Sequence, residues 1–209
     1  MSISESHIDN IADALAGPGY ICLDELLPPA LLNGLQAGFG QLQSDQFKAA
    51  GIGRNADFQR QETIRSDKIH WIGNDTPGGR DFLQSMESLR LGLNQRLFLG
   101  LFDYESHFAH YHVGAFYQKH LDAFRGGRQQ GKANRVLSTV LYLNKNWRAE
   151  EGGELVIYAP DGEQMLAQIE PQYGRMVIFL SEEFPHEVKP ARRERRSIAG
   201  WFRVSEGER

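Results

Sequence analysis

The strongest constraint on the fold is a change of hydrophobic rhythm near residue 100. From Phe102 onward, β-branched and aromatic residues come in short runs separated by turn-forming residues. Candidate strands are Arg135 to Leu143, Leu155 to Ala159, Gln164 to Ile169, Arg175 to Leu180 and Arg195 to Val204, with Pro160-Asp-Gly162 as a hairpin turn. Runs this short and closely spaced pair as antiparallel neighbours, and eight or so of them predict a jelly roll. The chain before residue 100 has a helical period. Ile8, Ile11 and Leu15 form one stripe, stopped by Gly17-Pro18-Gly19. A second, Leu31, Leu35, Phe39 and Leu42, starts after Pro28-Pro29, as prolines at a first turn permit. A third places Phe82, Met86, Leu89, Leu93 and Leu97 on one face between about Gly79 and Leu99. Apolar stripes of this kind are core-facing. The expected architecture is one domain over residues 1–209, with a helical shoulder over 1–100 and a β core over 101–209.

At 209 residues such a chain buries roughly 70% of its unfolded surface, enough for a real core. The formal net charge of -4 argues against a general nucleic-acid binder, which would carry a basic face. The single cysteine, Cys22, excludes an internal disulfide, and its apolar neighbours Tyr20, Ile21 and Leu23 predict burial in a core strand. No basic, apolar leader opens the sequence, and no run reaches the roughly 18 apolar residues of a membrane span. These features point to a soluble, cytoplasmic protein that does not engage membranes.

Against that background His120-x-Asp122 stands out. In a strand, residues two apart project from one side and can share one ligand. His186, carried by a distant segment, would complete a two-histidine, one-carboxylate face of the type that holds Fe(II) and leaves coordination positions open. An HxD pair alone is weak evidence in a chain with seven histidines. It gains weight from the alternating segment Arg195, Ser197, Ala199 and Trp201, whose shared face would line a pocket. A guanidinium there can grip a carboxylate through two parallel hydrogen bonds, so the implied ligand is a small dicarboxylate. Arg196 competes for this role. Strand alternation lets only one of the two arginines face inward, and counting from His186 and Trp201 favours Arg195.

Three other readings compete. His110-Tyr-His112 also sets two imidazoles on one face and could join His186 in a cupin-like zinc, manganese or nickel site. Failing that, His107, His110 and His112 would form a polar cluster near the entrance. The run Arg192-Arg193-Glu194-Arg195-Arg196 could serve an AlkB-like nucleic-acid demethylase. A non-catalytic sensor that binds iron and a small dicarboxylate would use the same ligands as an enzyme.

Ordered motifs carry a family resemblance. Ile64-Arg-x-Asp-Lys-Ile-x-Trp71, Tyr111-x-x-Gly114-x-x-Tyr117-x-x-His120-x-Asp122, Leu141-Tyr-Leu-Asn144, Glu151-Gly-Gly-Glu-Leu155, Ile169-Glu-Pro171 and Pro185-His-Glu-Val-x-Pro190 follow one another as in the 2-oxoglutarate- and Fe(II)-dependent prolyl hydroxylases. Over residues 60 to 204 the chain most resembles the type that acts on hypoxia-inducible factor. The resemblance implies a double-stranded β-helix core. It implies His120, Asp122 and His186 as iron ligands, Arg195 and the Tyr142 hydroxyl on the distal carboxylate of 2-oxoglutarate, and Tyr111 and Trp201 as pocket walls. It further implies O2 as co-substrate, ascorbate as a reductant, succinate and CO2 as products, and a target proline in a protein substrate. Bacterial members of the group suggest a translation elongation factor as that substrate; the animal ones suggest oxygen sensing. Residues 47–63, polar and glycine-bearing, would be the loop that closes over the substrate.

Overall fold

A computed structural model describes residues 3–50, 64–123 and 134–205. Most of the loop proposed to clasp substrate, residues 51–63, lies outside the described residues, as do residues 124–133 after Asp122.

The three apolar stripes form three helices. Helix α1, Glu5–Ala16, starts where the Ser4 hydroxyl accepts the amide of His7, and it buries Ile8, Ile11 and Leu15. Helix α2, Pro29–Gln41, takes a proline in its first turn, where the missing N–H costs nothing. Helix α3, Gly79–Leu97, buries Phe82, Met86, Leu89 and Leu93, each fully inaccessible and each contributing about 1.5–3 kcal/mol by its burial. Gly92 allows α1 and α3 to meet closely, because a side-chain carbon there would fall 2.8 Å from Ile8.

The strands are β1 Tyr20–Leu23, β2 Lys48–Ala49, β3 Lys68–Trp71, β4 Leu101–Tyr111, β5 Tyr117–His120, β6 Asn134–Tyr142, β7 Leu155–Tyr158, β8 Met165–Ile169, β9 Met176–Leu180, β10 His186–Val188 and β11 Arg195–Val204. They build two antiparallel sheets, a larger one ordered β1-β9-β6-β11-β4-β3-β2 and a smaller one ordered β5-β10-β7-β8. The predicted turn at Pro160-Asp-Gly162 joins β7 to β8, with the amide of Gly162 bonding to Ala159 O.

Alternation along the large sheet separates two cores. Phe108, Leu137, Leu141, Met176, Ile178, Ile198 and Phe202 face the helices. Ala109, Tyr111, Tyr142, Val177 and Phe179 face the small sheet and pack with Leu155, Ile157 and Val188. Strands β1, β2 and β3, from the N-terminal half, extend the large sheet at its two edges.

Cys22 departs from expectation. Its segment is a strand, but an edge strand, and the thiol is exposed. Tyr20, Ile21 and Leu23 are half-buried around it, so the apolar composition reports on its neighbours and not on the cysteine.

Candidate active site

The small sheet brings the two distant histidines together. His120 ends β5, His186 begins β10, and the two are direct cross-strand partners with ring centroids 4.3 Å apart. Asp122 lies just past the end of β5 and completes the group. Its Oδ1 is 3.6 Å from His120 Nε2 and its Oδ2 3.5 Å from His186 Nε2.

The outer hydrogen bonds fix which atoms face inward. His120 Nδ1 lies 2.8 Å from Gln118 O and His186 Nδ1 3.0 Å from Phe184 O. Carbonyl oxygens only accept, so each Nδ1 carries a proton, the tautomer that leaves Nε2 as the metal-facing nitrogen. Burial pushes His186 down to about 4, with the His120 ring adding to the effect, so His186 is neutral near pH 7. Burial alone would raise the Asp122 carboxyl; the His186 and His120 rings and Arg135 outweigh it and hold the group well below the usual carboxylate range. Two imidazole lone pairs and a carboxylate therefore converge, with donor atoms all within 4.8 Å of one another. Three acceptors with no donor among them repel unless a cation joins them. The donor set suits Fe(II).

Supporting contacts hold this arrangement. The Ser138 hydroxyl donates to Asp122 Oδ2 at 2.7 Å, and the Ser181 hydroxyl lies 2.9 Å from Ser138 Oγ. Tyr117 stacks on His120 with centroids 3.5 Å apart, and Phe179 meets the His186 ring edge-on at 4.8 Å.

Arg195 opens β11, opposite Tyr111, and is 1% exposed. Its Nε donates to Gly153 O at 2.9 Å and its Nη1 to the Ser197 hydroxyl at 3.1 Å. The guanidinium carbon sits 4.9 Å from the Tyr111 ring and 5.0 Å from the Tyr142 ring. Arg195 Nη2 and the Tyr142 hydroxyl are both buried, yet neither completes a hydrogen bond of acceptable geometry. Burial pushes Tyr142 up to about 12 while Arg195 pulls it back, so the hydroxyl stays protonated and available to donate. Leaving buried donors unpaired costs about 1–3 kcal/mol each. A bound carboxylate would satisfy both.

Arg196 points the other way, toward the helices, with its guanidinium 5.1 Å from the Phe39 ring. Trp201 is on the inward face, 6% exposed, with the Arg135 guanidinium 3.6 Å from its ring and its indole N–H unpartnered. Tyr111 lines the same interior.

The cupin-like grouping does not occur. His107 faces the interior, with ring centroids 5.2 Å from Trp71 and 5.4 Å from Trp201. His110, three residues on, faces the helices and contacts Phe39. His110 and His112 group with Glu194, not with His186, and the expected cluster of three histidines is split by strand alternation. The basic run is likewise divided. Arg195 is buried, Arg193 pairs with Glu151 at 3.1 Å, and Arg196 with Glu194 at 3.2 Å.

Known proteins match this arrangement. A crystal structure of a Pseudomonas putida prolyl-4-hydroxylase superposes with a TM-score of 0.82 at 40% identity, over 95% of this chain and 99% of that one. The family model of the 2OG-Fe(II) oxygenase superfamily matches residues 106–203, a span that contains every candidate residue named above. The chain belongs to the 2OG-Fe(II) oxygenase superfamily. Enzymes of this superfamily use Fe(II), 2-oxoglutarate and O2, and their double-stranded β-helix is the two-sheet core described here. A prolyl hydroxylase from Trichoplax adhaerens, solved with a hypoxia-inducible-factor peptide fragment, also superposes with a TM-score of 0.82, at 27% identity over 95% of this chain and 90% of that one. Egl nine homolog 1 of Rattus norvegicus is 32% identical over 152 residues, or 66% of this chain. The matched part spans only 41% of that protein's length.

In this oxygenase, several residues that support the site carry little sequence signal. Ser138 could have been found by counting in steps of two from Tyr142, which puts it on the inward face of β6. Ser181 sits beyond the end of β9, where no period applies. Gly153, whose carbonyl holds Arg195, has φ near +76° and would place a side-chain carbon 2.9 Å from Ala191 and 3.3 Å from Arg195 itself. Its place in the Glu151-Gly-Gly-Glu-Leu155 motif thus has a steric cause.

Proposed function

We propose that the protein is an Fe(II)- and 2-oxoglutarate-dependent dioxygenase that hydroxylates a prolyl residue of a protein. The observation that carries this reading is the pair of unpaired donors, Arg195 Nη2 and the Tyr142 hydroxyl, buried in the same interior as the His120, Asp122 and His186 donor set. When bound, Fe(II) supplies the activation of O2 that decarboxylates 2-oxoglutarate to succinate and CO2 and inserts one oxygen atom into a C–H bond.

The chain's own residues do the rest. His120 and His186 present lone pairs because the carbonyls of Gln118 and Phe184 hold their Nδ1 protons outward. Asp122 remains ionised and is steadied by Ser138. Arg195 and Tyr142 orient the co-substrate through its distal carboxylate, and Tyr111 and Trp201 wall the cavity. The apolar floor of Val177, Phe179 and Ile157 keeps bulk water away. For the protein substrate we adopt a cytoplasmic partner of the elongation-factor class, with ascorbate as reductant. Of the 47–63 segment, Phe47 is buried and Lys48–Ala49 pair with β3, so the clasp is assigned to residues 51–63. That the substrate is a protein is supported by a similar structure, a prolyl hydroxylase solved with a peptide fragment. No helix among the described residues is long and apolar enough to cross a membrane.

The test is mass spectrometry of cellular proteins with and without this chain, and with Asp122→Ala in its place. A prolyl peptide that gains one oxygen only with the wild-type chain supports the reading. Binding of Fe(II) and 2-oxoglutarate without any such shift would favour the sensor.

A further inference from the structure

The helical face of the large sheet carries a second group of converging donors, which the oxygenase reaction does not use. His110 lies near the end of β4, His112 just beyond it, and Glu194 just before β11. One donor atom from each falls within 4.8 Å of the other two. His110 Nε2 and Glu194 Oε2 are 3.4 Å apart. That distance matches the edge of a tetrahedron around an ion with bonds of about 2.0–2.1 Å, which is about 3.4 Å. His110 Nε2 is buried and completes no hydrogen bond. The two imidazole rings are 4.4 Å apart, and Phe39 and Phe47 hold the His110 ring at centroid distances of 5.4 and 5.6 Å. A cavity of about 180 Å3 opens here, lined in part by His110, His112, Lys68 and Arg196, and it lies on the opposite face of the sheet from His120, Asp122 and His186.

We propose that His110, His112 and Glu194 form a second metal site, for a Zn(II)-class ion, on the outer face of the oxygenase fold. Two imidazoles and one carboxylate are a common zinc donor set, with a fourth position left to water. Such an ion would tie the end of β4 to the start of β11. Those strand ends hold Tyr111 and Arg195 as cross-strand partners, so the ion would brace the segment that carries the co-substrate anchor. Two cations face the site. Arg196 pairs with Glu194 at 3.2 Å, and Lys68 and Arg196 are the cross-strand neighbours of His110 on either side. The incoming ion therefore displaces a guanidinium, and the site binds more weakly than its donor set alone would.

Calorimetric titration of tag-free, metal-stripped full-length protein with Zn(II) decides the matter. The wild type should bind about two equivalents, and His112→Ala and His120→Ala/Asp122→Ala about one each. The triple variant should bind none, and Arg196→Ala should tighten the outer site by about tenfold by removing a competing charge. His112 is exposed at a turn, so His112→Ala keeps the fold, which circular dichroism checks. Thermal melting provides a second readout, because Zn(II) should raise the midpoint of His120→Ala/Asp122→Ala but not of the triple variant. Unchanged zinc stoichiometry in His112→Ala, or a His120→Ala/Asp122→Ala variant that binds no zinc, overturns the proposal.

Discussion

Arg195 offers the most direct test of the co-substrate pocket, because its structural and ligand-binding duties can be separated. A guanidinium has five N–H donors. Nε uses one on Gly153 O and Nη1 one on Ser197, leaving the second Nη1 hydrogen and both on Nη2. Those remaining donors form a fork of the shape a carboxylate accepts with both oxygens. Charge-assisted hydrogen bonds are worth about 1.5–3 kcal/mol each. Loss of two removes about 3–6 kcal/mol, or about two to four orders of magnitude in 2-oxoglutarate affinity. Arg195→Lys keeps the charge and most of the volume but lacks the fork, so it should show most of this loss with a modest fall in melting temperature. Arg195→Ala should lose the same affinity and also destabilise the fold, since it opens a cavity and strands the Gly153 carbonyl. Arg196→Ala should change affinity less than about threefold, because Arg196 lies on the far face over Phe39. Calorimetric titration of 2-oxoglutarate into Mn(II)-loaded protein measures all three. Equal losses for Arg195→Lys and Arg196→Ala, or no loss for Arg195→Lys, would refute the reasoning.

Further outcomes follow from the same geometry. Tyr142→Phe should weaken 2-oxoglutarate by about 1–2 kcal/mol, or about five- to thirtyfold, without unfolding the protein; an unchanged titration would remove the hydroxyl from the site. Ser138→Ala should lower metal affinity at the His120, Asp122 and His186 site by about tenfold to a hundredfold by freeing Asp122 Oδ2, and Ser138→Thr should restore it. If Ser138→Ala binds Mn(II) as the wild type does, the serine only packs. Buried His107 gives the stability a pH dependence, for burial and then Arg65 push it down to about 3. The unfolded chain, with an ordinary value of about 6.5, takes up this proton first, so stability is full above pH 6.5 and is lost as pH falls toward 3. Between pH 7 and pH 5 the wild type should lose about 2 kcal/mol more than His107→Phe in urea denaturation, and parallel pH profiles would rule this out.

Strand alternation explains both what the sequence disclosed and what it concealed. The inward face of Arg195, Ser197, Ala199 and Trp201 could be read from residue parity alone, and parity correctly chose Arg195 over Arg196 as the inward arginine. The helices were equally plain, because α1, α2 and α3 each pack a single stripe against one sheet face. Parity applied to His107, His110 and His112 would have split them, yet their nearness in sequence suggested one cluster. Cys22 misled for another reason, since an edge strand with apolar neighbours has the composition of a central one. Strands β2 and β3 are too short to announce themselves, because β3 is held by its pairing with β4 and β2 by its pairing with β3. The contact between Ser138 and Asp122 joins residues 16 apart in sequence, and no local pattern encodes it.

The two halves of the site rest on backbone of unequal stiffness. Arg195 begins β11, which is flanked by β4 and β6 along nearly its whole length in the middle of the large sheet. His120 ends β5, the outermost strand of the small sheet, whose pairing with β10 is broken by a register shift. On its other side, among the described residues, β5 has the isolated bridge between Tyr117 and Arg65 and the backbone hydrogen bond from Gln118 N to Ile64 O. In amide exchange, β11 should therefore open only with global unfolding, while β5 opens locally at lower free energy. Gentle denaturation would then release the metal from a chain that still holds a shaped anchor for the co-substrate. Iron loss, not collapse of the 2-oxoglutarate cradle, becomes the first and most readily reversed route to inactivation.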